Sequence, residues 1–489
     1  MDGHTMSRLL LGLCALGIMW SVGMGHASAQ APDMDAAAAA AGAKDQPDGG
    51  GGVGYAGAEL GLGQVDEDFY ATLGLSLAFR LPVPKLFCDD ISDCVTSLNT
   101  GLRLPLRLRL YDAAPEDAGV IRREDWDELS DYARIVRYVE YGVRTDPLYA
   151  RLGEFNGAVI GHGTIMNRYF NVLTVDQFEL GFNTVLNANI GGVEVVLDNL
   201  FEPEVFGLRV YGRPNKFIEP GGFWDRYSIG LSLVTDVDAP LEFERISADI
   251  DATQPLKVTR EGRLVPTRTA NSTVIGIDQE LVLIQNETID FTPYLDLNTH
   301  LNHSPGLYLG AQSNFRPDDV LNIYTKMELR WLGEEHIPVY FSALYEIERE
   351  SYFGWEGQGD PKLVVLRGLD RGAIAGAYGE LTFDLGGSVV LTGSYEDYQG
   401  PDNASLLLQL QLPSIGPLSL GMMFLNAGFD GLDEAFELDN ALLSLEGRYN
   451  VTGNLYVLTE VTRLWRLQDD GSYQTVTTWQ IGGGVALGF

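Results

Sequence analysis

The chain has 489 residues, with 33 Lys+Arg, 68 Asp+Glu and a formal charge of -35. Only 21% of residues are charged and 45% are hydrophobic, which is too apolar for a disordered chain. The acid excess argues against nucleic acid as a partner, because neutralising phosphates needs basic patches.

Met6-Ser7-Arg8 precedes an apolar run from Leu9 to Trp20, and Ala27-Ser28-Ala29 precedes Gln30. A short positive region, an apolar stretch of roughly 7–15 residues and an A-x-A site make a secretory signal peptide, here residues 1–29. Cys14 sits inside the apolar run and reads as part of it. Residues 30–52 are rich in Ala, Gly and Asp and read as a flexible tail. Cys88 and Cys94 then close a short segment, Cys-Asp-Asp-Ile-Ser-Asp-Cys. In an exported chain such a pair is expected to form a local disulfide. A metal site would need further thiols or imidazoles, and none is close in sequence, so neither metal nor cofactor is expected.

From residue 53 onward, apolar and polar residues alternate. Tyr227, Ile229, Leu231 and Leu233 share one face, and Arg226, Ser228, Gly230 and Ser232 the other. Leu321, Ile323, Met327, Leu329 and Trp331 repeat the pattern, as do Leu406, Leu408, Leu410 and Leu412. Ile337, Val339, Phe341, Ala343, Tyr345 and Ile347 read as the same kind of strand, over 337–350. A soluble sandwich also alternates. The many runs of about 10 residues instead have the length that crosses a bilayer at a tilt.

The last fifteen residues read TVTTWQIGGGVALGF, with Thr477, Trp479, Ile481, Gly483, Val485, Leu487 and Phe489 on one face. This resembles the closing strand of Gram-negative outer-membrane β-barrels, which ends on an aromatic residue. The family's assembly signal runs polar-x-Gly-x-x-apolar-x-apolar. Gly484, Leu487 and Phe489 match it, and Gly482 stands where the polar residue would be. Arg144–Asn171 also resembles stretches of bacterial barrels and implies no activity. The resemblance implies an all-β fold, a transmembrane antiparallel up-and-down barrel over 53–489. It also implies outer-membrane lipid, lipopolysaccharide and the barrel-assembly machinery as partners, with the tail in the periplasm. Oligomeric state is not legible.

Twenty-one segments alternate, whereas bacterial single-chain barrels have an even strand number. The conflict falls between 337 and 385, where either Pro361–Gly368 is a missed strand or one neighbouring segment is not a strand, and the expected count is about 18–22 and even. Short turns at Arg144–Asp146, Asn286–Thr288, Arg316–Asp319, Pro413–Gly416 and Asn450–Gly453 fit the periplasmic end. Longer loops at 112–131, 156–172, 237–272 and 426–439 fit the exterior.

If leucines face lipid, alternate residues line the lumen. Leu102 to Leu110 face outward in GLRLPLRLRLY, so Arg103, Arg107 and Arg109 face inward. The same parity turns Arg151, Arg209, Arg213 and Arg226 inward. Acids are expected opposite them at Glu179, Glu194, Asp198, Asp290, Asp296, Glu346, Glu348, Glu380 and Asp384. Basic groups come early in the chain and acids later, with Lys326, Arg330 and Arg448 as exceptions. This ordering points to two walls of opposite charge. Residues 156–172, Gly-rich and too apolar for a solvent loop, suit a constriction or plug that carries His162, Asn167 and Arg168. Residues 351–375 are a second candidate.

Three functions remain open: a porin-like passive channel for small polar solutes, a plugged structural or surface-interaction barrel, and a membrane-embedded hydrolase. The hydrolase reading has only His303-Ser304 beside Pro305-Gly306 to support it. Adjacent strand residues point to opposite faces, so these read as turn residues, and no catalytic residues are expected.

Overall fold

The computed structural model describes residues 54–65, 68–87, 94–111, 120–122, 125–126, 130–155, 157–173, 179–218, 220–245, 256–257, 264–355, 357–438, 441–467 and 473–488. Twenty antiparallel strands close into one barrel. The first ten are β1 (Gly54–Val65), β2 (Asp68–Pro84), β3 (Val95–Tyr111), β4 (Val136–Tyr141), β5 (Leu148–Gly153), β6 (Gly181–Ala188), β7 (Gly191–Leu197), β8 (Val205–Gly212), β9 (Tyr227–Phe243) and β10 (Pro266–Leu281, resumed at Ile284–Gln285). The rest are β11 (Ile289–His300), β12 (Pro305–Phe315), β13 (Leu321–Leu332), β14 (Ile374–Leu385), β15 (Val390–Tyr398), β16 (Ala404–Ile415), β17 (Leu418–Phe429), β18 (Ala441–Asn450), β19 (Leu455–Leu467) and β20 (Tyr473–Gly488). Both stretches of β10 pair with β11, so they form one strand interrupted after Leu281. The barrel closes where β1 meets β20, with Ala58 opposite Val485 and Leu60 opposite Gly483. Closure leaves no unpaired edge, the condition for strands to lie in hydrocarbon. The architecture is an all-β, antiparallel up-and-down barrel with an even number of strands.

Alternation sorts the wall into two faces. Leu231, Leu309, Ile481 and Leu487 point outward and are 63%, 48%, 52% and 57% exposed, which leaves them for lipid. Ser228 on β9, Tyr308 on β12 and Asp296, opposite Tyr308 on β11, point inward and are buried. Turning β3 over would place Arg103, Arg107 and Arg109 in lipid at about 2–4 kcal/mol each near the midplane, so the orientation is decided by magnitude.

Some of the glycines are explained by the inner face. Tyr294 lies opposite Gly310, Tyr398 opposite Gly376 and Tyr456 opposite Gly484. A Cβ at Gly310 would sit 2.2 Å from the Tyr294 ring, and one at Gly376 2.2 Å from the Tyr398 ring. The rings lie flat against the wall because their partners have no side chain. Gly310→Ala is expected to cost about 1–3 kcal/mol through overpacking. The check is the urea midpoint of the refolded barrel. A midpoint equal to wild type would show that Tyr294 swings aside freely.

The segment at 337–350 is not a strand, and this removes the odd member of the sequence count. Ile337, Phe341 and Tyr345 are buried, but so are Leu344, Glu346 and Glu348 on the other parity, and Tyr345–Glu348 is a single helical turn. Alternation alone does not separate lipid from protein as the solvent of the apolar face, and here that face is covered by protein inside the barrel. Connections at 112–135, 154–180, 244–265, 333–373 and 430–440 leave one end of the barrel. Those at 142–147, 189–190, 286–288, 386–389, 416–417 and 451–454 leave the other, where β1 begins and β20 ends. The loop expected at 237–272 is shorter, because β9 runs on to Phe243 and β10 starts at Pro266.

Candidate functional site

Two connections turn into the lumen and pair with each other. In the first, 154–180, glycines at 161 and 163 with φ of 57° and 75° bend the chain around His162, a conformation that glycine adopts without steric cost. The second, 333–373, lies alongside it: Phe341 N–H donates to Ile165 O at 3.1 Å, and Asn167 N–H donates to Phe341 O at 3.1 Å. Met166 and Phe341 form a parallel bridge. Together they carry much of the largest buried apolar cluster, which includes Ile165, Tyr169, Ile337, Tyr340 and Tyr345.

The first insert spans the lumen. Gly161 N–H donates to Glu194 on β7 at 3.1 Å, whereas Arg168 pairs with Glu380 on β14 at 2.6 Å. Thr164 donates to Asp296 at 2.5 Å, and Lys326 donates to the His162 carbonyl at 2.5 Å. The His162 ring stacks on Tyr294 at 4.0 Å, with Nε2 3.0 Å from Glu280. Asn167 lies at the seam between the two inserts.

The second insert is fastened by buried charge. Arg349 lies 3.2 Å from Asp236 on β9 and 3.6 Å from Glu346, and it also pairs with Glu204 in the connection before β8. Tyr345 donates to Asp236 at 2.7 Å, and Tyr169 of the first insert donates to Glu346 at 2.5 Å. Lys362 pairs with Glu348 among the rings of Tyr340, Tyr345 and Tyr352. Burial pushes the Glu346 carboxyl up despite Arg349 beside it. Burial also lowers the Lys362 ammonium, opposed by Glu348. Glu346 and Glu348 are thus groups of the insert, not of the wall where parity had put them.

The wall charges do not divide into a basic and an acidic side. Arg151 pairs with Glu140 at 2.9 Å, and Arg209 with Glu194 at 2.5 Å and Asp278 at 2.7 Å. Arg330 bridges Glu328 and Glu396, and Lys326 meets Glu328 at 3.0 Å. Arg107, Arg122 and Arg134 all lie 2.9 Å from Asp125, while Arg109 pairs with Asp68 at 3.1 Å. Asp290 pairs with Arg316 at 3.1 Å. A charge withdrawn from water needs an opposite charge within a few ångströms, and the nearest source is a neighbouring strand or loop. The expected opposed walls are therefore corrected to local pairs.

Other expected lining residues lie off the wall. Arg213 donates to the carbonyls of Ala188 and Asn189 at the end where β1 begins, and Arg226 is exposed just before β9. Glu179 and Asp198 are buried in connections, where Asp198 accepts from Asn199 N–H at 2.7 Å and Glu204 N–H at 3.2 Å. Phe489 and Cys88 lie outside the described residues; Gly484 faces inward and Leu487 outward. His303 meets Glu335 at 3.2 Å, and Ser304 meets His336 through its carbonyl rather than its hydroxyl. Asp236, Asp278 and Glu280 share the inward parity of Ser228 and were legible; Glu204, Arg349, Lys362 and Asp125 sit in connections that no period marks.

The inserts fill only part of the lumen. On β11 and β13 the inward residues Asp290, Thr292, Asp296, Lys326, Glu328 and Arg330 are 0–5% exposed. On the wall through β18, β19 and β3, Arg103, Glu446 and Glu460 are wet, whereas Arg107 and Arg109 are paired and mostly covered. Arg103 lies 3.1 Å from Glu460 and 3.8 Å from Glu59, with the Arg103 and Glu460 side chains 32% and 34% exposed. Glu446, opposite Glu460, is exposed although its strand parity points inward.

No family model matches the sequence, and no curated protein matches it. Among solved structures, OccK11 (OpdR) of Pseudomonas aeruginosa is similar at 10% identity, covering 89% of this chain and 96% of that one, with a TM-score of 0.33. The outer membrane protein opdK of the same organism is 11% identical over 89% and 98% of the two chains, at a TM-score of 0.33. A point mutant of its ferric enterobactin receptor PfeA is 9% identical over 90% and 81%, at 0.32. At these values no solute or activity is carried over from them.

Proposed function

We propose that the protein is a porin-like outer-membrane channel for small polar solutes, narrowed on one side by its two inserts. One observation carries this reading: Arg103, Glu446 and Glu460, facing inward on the β18–β3 sector, remain solvent-exposed, whereas the inward charges on β11 and β13 are buried. A barrel of this width leaves an aqueous passage unless it is filled, and the filling is one-sided. In this reading the termini and short turns face the periplasm and the long connections face outward. The signal peptide is removed, Cys88 and Cys94 are joined, and the assembly machinery reads the strand ending at Phe489.

The test is single-channel recording of purified protein in planar bilayers. Small steady open steps are expected, and a silent barrel would favour the plugged, structural reading. Selectivity is a finer check. The wet sector holds Arg103 against Glu59, Glu446 and Glu460, so a weak cation preference is expected. Arg103→Glu is expected to move the reversal potential further toward cations. The shift is expected to shrink in 1 M salt, where the Debye length is only about 3 Å. An unchanged potential would place the conducting path away from Arg103.

A further inference from the structure

Between the inserts and the β14–β17 wall lies a pocket of about 740 Å³ of free space, the part open to solvent included. It lies where the filled sector gives way toward β18.

Backbone strain gathers around it. Six non-glycine residues among those described have positive φ. Four of them line this pocket: Arg168 at 52°, Val339 at 47°, Trp355 at 59° and Asp402 at 51°. A β-branched residue such as Val339 is an outlier there. Such strain collects where a surrounding structure holds groups in place for a ligand.

The lining selects against ions. Arg168 is paired with Glu380 at 2.6 Å, Lys362 with Glu348, and Glu396 with Arg330 at 2.5 Å. An anion on Arg168 or Lys362 would displace a buried carboxylate, and a cation on Glu348 or Glu396 would displace a buried base. Paired carboxylates keep lone pairs to accept with, and paired cations keep N–H groups to donate with. Ser342 and Ser405 donate to Glu348 and Glu396 and keep lone pairs to accept with, Ser394 accepts from Arg168 and keeps its hydroxyl hydrogen to donate, and Trp355, Tyr352 and Tyr378 add ring surface. Donors and acceptors in alternation beside aromatic rings match a ligand with many hydroxyls and C–H faces.

We propose that this pocket binds a neutral polyhydroxylated solute, a mono- to trisaccharide. The binding claim deepens the channel reading, and only its role in passage rests on that reading. The experiment is calorimetric titration of the purified full-length barrel in detergent with glucose, maltose, sucrose and raffinose. Arginine, glutamate and succinate are the charged comparisons. Saturable heat is expected for at least one neutral sugar and none for the charged solutes. Ala427→Phe puts a ring into the pocket from β17 and is expected to weaken sugar binding about tenfold or more. Should that variant fail to fold, Ser405→Val removes one wall hydroxyl and is expected to weaken binding in the same direction. No heat with any sugar, tighter binding of a charged solute, or a folded pocket variant that binds like wild type would each overturn the proposal. Sugar binding by a barrel that is silent in bilayers would uphold the site and overturn the channel reading. Conductance without sugar binding would do the reverse.

Discussion

Excising residues 338–370 and joining the ends through a short Gly-Ser turn is expected to turn a narrow conductance into a wide one. The wall does not need the insert. Leu332 at the end of β13 lies opposite Ile374 at the start of β14, so the register is already that of a hairpin. Antiparallel strands need only a two-residue link. The excision removes Phe341, Tyr345 and Trp355 from the lumen and takes with them the cation that holds Asp236 and Glu204. What remains is a twenty-strand wall wider than the 16–18-stranded barrels that already leave an aqueous channel. Single-channel steps several times larger than wild type are expected, with faster entry of bulky polar solutes into cells. Steps of wild-type size from a folded variant would place the constriction at 154–180 or under the 112–135 connection instead.

The wall was readable in the sequence because its two solvents differ so strongly. Where Leu231 and Leu233 face lipid and Ser228 and Ser232 face the lumen, one period-two rule gives the strand, its register parity and its orientation. The same rule failed at 337–350, where alternation is present but both faces are buried in protein. It also overreached at Arg213 and Arg226, whose parity is right but which lie beyond the strand ends. Charge order along the chain misled about the lumen for a related reason. Arg209 meets Glu194 from the adjacent strand but Asp278 from β10, and only three-dimensional neighbourhood decides such pairs. The cluster around Arg349 was illegible because its members come from a connection, a strand and an insert with no shared spacing.

Arg349→Ala is expected to loosen the second insert without removing it. The guanidinium is the shared partner of Asp236, Glu204 and Glu346. Taking one partner out of a buried charge cluster costs about 3–5 kcal/mol, because the carboxylates left behind stay desolvated and repel one another. If that cost falls on the closed arrangement alone, the ratio of closed to open shifts by about a hundredfold or more. Frequent large openings are therefore expected where wild type shows small steady ones. The pH dependence sharpens the test. Burial raises Glu346 and also Asp198, which lies close enough to feel the charge of Glu346. A carboxyl raised in the folded state binds its proton more tightly there than in the open or unfolded chain. Its effect favours the closed insert at acid pH and fades as pH climbs above the ordinary carboxylate range of about 4. Openings of Arg349→Ala are thus expected to become more frequent from acid to neutral pH, more steeply than in wild type, where the guanidinium offsets the same charges. Asp198→Asn in the same background is expected to flatten that rise. Recordings at several pH values on a heat-modifiable, folded variant decide it. Dwell times that match wild type, or openings that grow toward acid pH, would show that this cluster does not hold the insert in place.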